Sequence, residues 1–91
     1  STEFLSIETF YNYKSILLEF AQSKGWGFPR YHVVTEEGPD HNKKFIVVAN
    51  VNNKWSAKGT GLSKKNAEQR AAHNVLKKLK KQDEISDDII I

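Results

Sequence analysis

Ser63, Lys64 and Lys65 stand where residue type and spacing together call for an anion. They follow Gly59-Thr60-Gly61-Leu62, a glycine-broken strand end, and lead into an alanine-rich run with helical spacing. Ser63 can accept a hydrogen bond from the second or third amide of that helix, which places the two lysines in its first turn. Open amides there already carry about half a positive charge, so a lysine costs on the order of 0.3–1 kcal/mol unless something negative docks. A phosphate group supplies that charge. The plain alternative is two solvated lysines on a surface helix.

Other chemistries find little footing. Cys 0 removes disulfides, thiol nucleophiles and cysteine zinc sites, and His32, His41 and His73 lie too far apart in sequence to suggest a ligand cluster. The acids Glu36, Glu37 and Asp40 fall on a strand end and a loop, with no partnered nucleophile and no Gly-rich phosphate loop. No catalytic residue and no metal ligand is therefore expected in these residues. Charge points to a polyanion instead. All 14 Lys and Arg lie between Lys14 and Lys81 against 5 acids, an excess of 9, while the remaining acids sit at the two ends. A basic body with acidic ends suits a polyanion partner, although lysine-rich solubility produces the same composition.

The elements that must hold these residues can be read from periodicity. After an N-cap at Asn12, Tyr13, Ile16, Leu17, Phe20 and Ala21 recur at helical spacing, with Gly25 as a stop. The opposite face of that helix carries Ser15, Leu18, Glu19 and Gln22 as one patch, in which Leu18 is an exposed leucine out of place. Residues 31–37 and 44–51 read as strands, the second with Phe45, Val47, Ala49 and Val51 on one face. Gly38-Pro39-Asp40-His41-Asn42-Lys43 between them is too polar to be buried and too long for a tight hairpin, so its tip should project. Asn52-Asn53 suits a turn with positive φ, and 55–61 is the third strand. The last helix runs from Ser63 to about Lys80, with Ala67, Ala71, Ala72, Val75, Leu76 and Leu79 inward.

The order αβββα predicts an α+β fold: a three-stranded antiparallel sheet with both helices packed on one face. Residues 1–12 read as a linker or accessory segment, 13–80 as the domain, and 81–91 as an acidic, flexible tail. The 91 residues contain no run of about 18 apolar residues and no signal-peptide pattern, which predicts a cytoplasmic protein with no membrane span.

αβββα with Gly38-Pro39-x-His41 and Gly61-x-Ser63-Lys64-Lys65-x-Ala67-x-x-x-Ala71-Ala72 resembles the double-stranded RNA-binding domain. The fuller strings Glu36-Glu37-Gly38-Pro39-Asp40-His41, Tyr13-Lys14-Ser15 and Lys64-Lys65-Asn66-Ala67-Glu68-Gln69 are similar to the C-terminal domain of bacterial-type ribonuclease III. The resemblance implies that Ser15, Leu18, Glu19 and Gln22 enter one minor groove of an RNA duplex. It implies that the loop enters the next minor groove through His41 and the Gly38 and Pro39 backbone, and that Lys64 and Lys65 grip phosphates across the intervening major groove. Two positions depart from the family pattern: Leu18, where many members have glutamine, and Glu68, where many have a third lysine, which lowers the phosphate affinity expected. The ribonuclease III resemblance further implies a homodimeric parent enzyme whose catalytic domain and magnesium lie outside these residues. The alternatives are a non-catalytic RNA-binding or adaptor protein, and a related fold kept for protein association.

Overall fold

Asn12 starts the first helix by accepting the Ser15 amide on its side-chain oxygen at 3.2 Å, and α1 follows as Tyr13–Ser23. In the computed structural model, which describes residues 12–82, that helix ends in a full Schellman arrangement. The Gly25 amide donates to the Gln22 carbonyl at 3.1 Å and the Trp26 amide to the Ala21 carbonyl at 2.8 Å. Gly25 takes the positive φ of 74° that this closure needs. Trp26 then sets its ring edge-on to Phe20, with centroids 5.4 Å apart, sealing the turn with an apolar contact.

Strands β1 (Arg30–Glu37), β2 (Lys44–Val51) and β3 (Trp55–Gly61) form an antiparallel meander in that order. Asn52 and Asn53 both have positive φ, 58° and 52°, as the turn between β2 and β3 requires. One feature of β1 escapes the alternation of its sequence: the register shifts between Val33 and Thr35. Val33 pairs with Val47, but Thr35 pairs with Ile46 and Glu36 with Phe45, so a bulge at Val34 turns Glu36 onto the face that Phe45 shares with the core.

Helix α2 (Lys64–Lys81) is capped by Ser63, whose hydroxyl accepts the Asn66 amide at 3.1 Å. Its buried residues are Ala67, Ala71, Ala72, Val75, Leu76 and Leu79, the inward face expected from spacing. They meet Val47, Ala49 and Val51 of β2 and close over β3. Full burial of each leucine or valine contributes roughly 1.5–3 kcal/mol, so this seam is the principal source of stability. Small residues on both sides let it close. A Cβ built at Gly59 would lie 2.1 Å from the Ala71 amide nitrogen and 2.4 Å from the Ala67 carbonyl oxygen. At the outer side of β3, Asn74 donates to the Lys58 carbonyl and Lys78 to the Ser56 carbonyl, both at 2.6 Å. Helix α1 packs mainly on α2, with only Leu17 and Ala21 fully buried. Both helices therefore lie on one face of the sheet. The segments expected to be accessory and tail, apart from Asn12, Lys81 and Gln82, lie outside the described residues.

Candidate nucleic-acid interface

The start of α2 lies between two grooves. One is bordered by Ser15 and Leu18 of α1, by Phe28 and Pro29, and by Lys65 of α2. The other is bordered by Asp40, His41 and Asn42 of the loop and by Leu62, two residues before α2. The fold thus brings the first-helix patch, the loop and the lysine pair onto neighbouring surfaces, although they span 50 residues of sequence from Ser15 to Lys65.

Within the first patch, Ser15, Glu19 and Gln22 are exposed, as the helical spacing requires. Leu18 is a correction. It is partly buried, on the wall of the groove it shares with Phe28 and Pro29. Phe28 and Pro29 belong to the chain that follows α1, a tertiary neighbourhood that helical periodicity alone does not reveal. We expect Leu18→Gln to raise affinity for duplex RNA by about 0.5–1.5 kcal/mol through one added net hydrogen bond. Its stability cost should stay below about 1 kcal/mol, because only part of the leucine's transfer energy is lost. RNA titration and thermal melting of this one variant check both parts, and a large drop in melting temperature without gain in affinity would mean that Leu18 serves packing alone.

The loop is built to hold its shape. Gly38 has a φ of 97°, and a Cβ there would sit 2.8 Å from the Asn42 carbonyl oxygen, so glycine is required on two counts. Pro39 leads into a single 3-10 turn, Asp40–Asn42, closed by the Asn42 amide on the Pro39 carbonyl at 2.9 Å. Gly38, Pro39 and His41 are all exposed. Lys43 fastens the base of the loop, 3.4 Å from the Glu36 carboxylate and 3.7 Å from that of Asp40. Glu36 stays exposed while it makes this contact.

Lys64 and Lys65 are exposed in the first turn of α2, with no acidic residue beside them in that turn. Glu68 does not oppose them as its position in sequence suggests. Its carboxylate is 2.5 Å from the Lys14 ammonium of α1, so one acid and one cation of the basic body cancel each other. Beside this pair, the Lys14 ammonium lies 4.9 Å from the centre of the Tyr31 ring. Burial, followed by the charge of Glu68, pushes the Tyr31 phenol up to about 12, which keeps it neutral. Glu36, Asp40 and Glu68 are thus each engaged by lysines, and the described residues contain no cluster of three or more acids, histidines or cysteines able to hold a metal ion. They do not fit a magnesium site.

Two members of this surface went unread in the sequence. Phe28 is 71% exposed and Leu62 68% exposed, each bordering one of the two grooves. Both follow a glycine, and Phe28 also precedes Pro29, which restricts its backbone to extended conformations. That bracketing was the available signal.

Residues 13–79 match the family model described as the double-stranded RNA binding motif. The chain belongs to that family. Members of known sequence similar to it include "Ribonuclease 3" of Chlorobaculum tepidum, 44% identical over 77 residues that cover 85% of this chain and 28% of the relative. "Ribonuclease 3" of Anoxybacillus flavithermus is 48% identical over 69 residues, covering 76% of this chain and 29% of the relative. The chain therefore spans less than a third of the length of these curated relatives. Among solved structures, Arabidopsis HYL1, described for its implications for miRNA processing, superposes with a TM-score of 0.64 at 31% identity, covering 75% of this chain and 96% of that one. The second double-stranded RNA-binding domain of DRB4 gives 0.57 at 30% identity, covering 75% and 94%. A motif of this family has the helix, three antiparallel strands and helix seen here. No helix among the described residues is long and apolar enough to cross a membrane.

Proposed function

We propose that this chain binds double-stranded RNA by shape and serves as the substrate-binding module of a ribonuclease III endonuclease. The observation that carries the reading is the convergence of three surfaces. Ser15, Glu19 and Gln22 on α1 supply hydrogen-bonding groups for one minor groove, with Leu18 giving apolar contact beside them. Gly38, Pro39 and His41 project for the next minor groove, and Lys64 and Lys65 stand between, for phosphates. This arrangement suits A-form spacing, in which the minor groove displays 2′-hydroxyls and the footprint spans about 16 base pairs. Phosphate contacts supply affinity and the 2′-hydroxyl contacts separate RNA from DNA.

The enzymatic part of the reading rests on the ribonuclease III relatives, of which this chain matches only a portion. Catalysis, its magnesium and homodimerisation belong in this account to a separate domain of the parent protein. The module's task is then to deliver duplex RNA to that domain, in the cytoplasm. The chain should prefer duplex RNA over duplex DNA and over single strands. Competition binding tests this, and displacement of duplex RNA by an equal concentration of duplex DNA would sink the reading.

A further inference from the structure

Helix α1 is tied to α2 by polar bonds at its first turn as well as by its apolar face, on which Tyr13, Ile16 and Phe20 also pack against the core. Only Leu17 and Ala21 are fully buried in it, against six residues in α2, and it packs on α2 more than on the sheet. Its N-terminus adds direct polar bonds to α2. The Gln69 carboxamide of α2 accepts the Lys14 backbone amide at 3.2 Å and donates to the Asn12 side-chain oxygen at 2.8 Å. That same Asn12 oxygen accepts the Ser15 amide at 3.2 Å. Two of the amides that a helix start leaves open are thus satisfied, one by its own cap and one by a residue 55 positions away. The Lys14–Glu68 ion pair and the stacked Tyr13 and His73 rings, with centroids 4.0 Å apart, flank this closed set of bonds.

The placement of the set matters more than its strength. Gln69 lies one helical turn beyond Lys65 and Glu68 one turn beyond Lys64, so each shares a face of α2 with a proposed phosphate contact. At the other end, Ser15 is the first residue of the α1 groove face. A short run of bonds therefore links the phosphate site to the groove site. In duplex RNA the offset between a minor groove and the neighbouring phosphates is fixed by the A-form, and B-form DNA presents a different one.

We propose that the Gln69 carboxamide, closed on Asn12 and the Lys14 amide, is a positioning group that fixes the offset between the α1 groove face and Lys64/Lys65, and so sets the preference for A-form duplex. It lines the groove that Ser15, Leu18 and Lys65 border, and it acts through the orientation of α1. The inference rests on the duplex-RNA reading above and adds to it the element that measures helical form.

Two variants of the 91-residue chain test it. Gln69→Ala removes the interhelical bonds. Asn12→Ser retains an oxygen able to cap the Ser15 amide but is too short to reach Gln69, so it separates helix capping from interhelical positioning. Binding to duplex RNA and to duplex DNA of the same sequence is measured over a range of salt concentrations, with the folded fraction taken from melting curves. In each variant RNA affinity per folded molecule should fall roughly fivefold, the equivalent of about one net hydrogen bond, with DNA affinity and the salt slope unchanged. The double variant should be no worse than either single one, because both break one coupled set. Asn12→Asp, which retains the accepting oxygen, should preserve the ratio of RNA to DNA affinity. Equal losses for RNA and DNA, additive losses in the double variant, or undiminished RNA preference in both single variants would each overturn the proposal. Failure of the unaltered chain to prefer duplex RNA would instead overturn the functional reading beneath it.

Discussion

Gly59→Ala is expected to leave little folded domain at room temperature. A new Cβ would lie 2.1 Å from the Ala71 amide nitrogen, 2.4 Å from the Ala67 carbonyl oxygen and 2.7 Å from the Ala71 Cα. All three are backbone atoms in the middle of a helix, so no rotamer change relieves the contact. Overpacking by a methyl group ordinarily costs about 1–3 kcal/mol, and that range assumes side chains that can yield. Here α2 as a whole must lift from β3, opening the seam of Ala67, Ala71, Val75 and Leu79. A domain of this size has only about 5–15 kcal/mol of stability to lose. Gly61→Ala, with its nearest contact 2.7 Å away at the Ala67 amide nitrogen, should follow with a smaller but clear loss. Gly25→Ala meets open space and should cost about 1 kcal/mol, for its positive φ alone. Urea melts of the three variants give the order. A Gly59→Ala variant as stable as the Gly25→Ala variant would show that the helix and strand do not approach this closely in solution.

Lys64→Ala combined with Lys65→Ala is expected to weaken duplex-RNA binding by on the order of 50-fold at 0.1 M salt. Each phosphate contact contributes about 0.9 to the slope of log affinity against log salt, so two lost contacts flatten the slope by about 1.8. The loss should be the same for every duplex sequence, because phosphates carry no sequence information. Stability should hold or rise slightly, since the substitutions remove cations from the positive end of a helix that Ser63 still caps. Filter binding or fluorescence anisotropy at several salt concentrations checks the slope, and a melting curve checks the fold. An unaltered slope in a folded double variant would remove the lysine pair from the interface.

How far the sequence carried can be seen at the α2 seam. The spacing of Ala67, Ala71, Ala72, Val75, Leu76 and Leu79 announced both the helix and its buried face. That Gly59 is the residue this helix approaches was not legible, because a glycine in a strand reads equally as a break, a bulge or a contact. The lysine pair and the Asn52-Asn53 turn were legible for a different reason: each has a local physical requirement, a helix start in one case and a positive φ in the other. The Val34 bulge was not, since a slip of one residue leaves the alternating pattern on either side intact. The partner of Glu68 was not legible either. Lys14 is 54 residues away, and nothing in the spacing of either reveals the pair. Local rules foretold the elements and their faces; the polar contacts between elements, including those of Gln69, emerged only with the fold.

The two carbonyls of β3 bonded by Asn74 and Lys78 bear on how many copies can share one ligand. A long duplex offers successive binding sites, and domains bound side by side along it meet at concentrations far above that of free protein. An open strand edge would then invite neighbours to join their sheets, and a bound array would harden into a fibre. On one side of this sheet two of the edge acceptors, the Ser56 and Lys58 carbonyls, are already occupied by α2. On the other, β1 is kinked at Val34 and finishes in Glu36 and Glu37, which makes it a poor template. Neither edge therefore offers a neighbouring copy a full, flat ladder on which to extend the sheet.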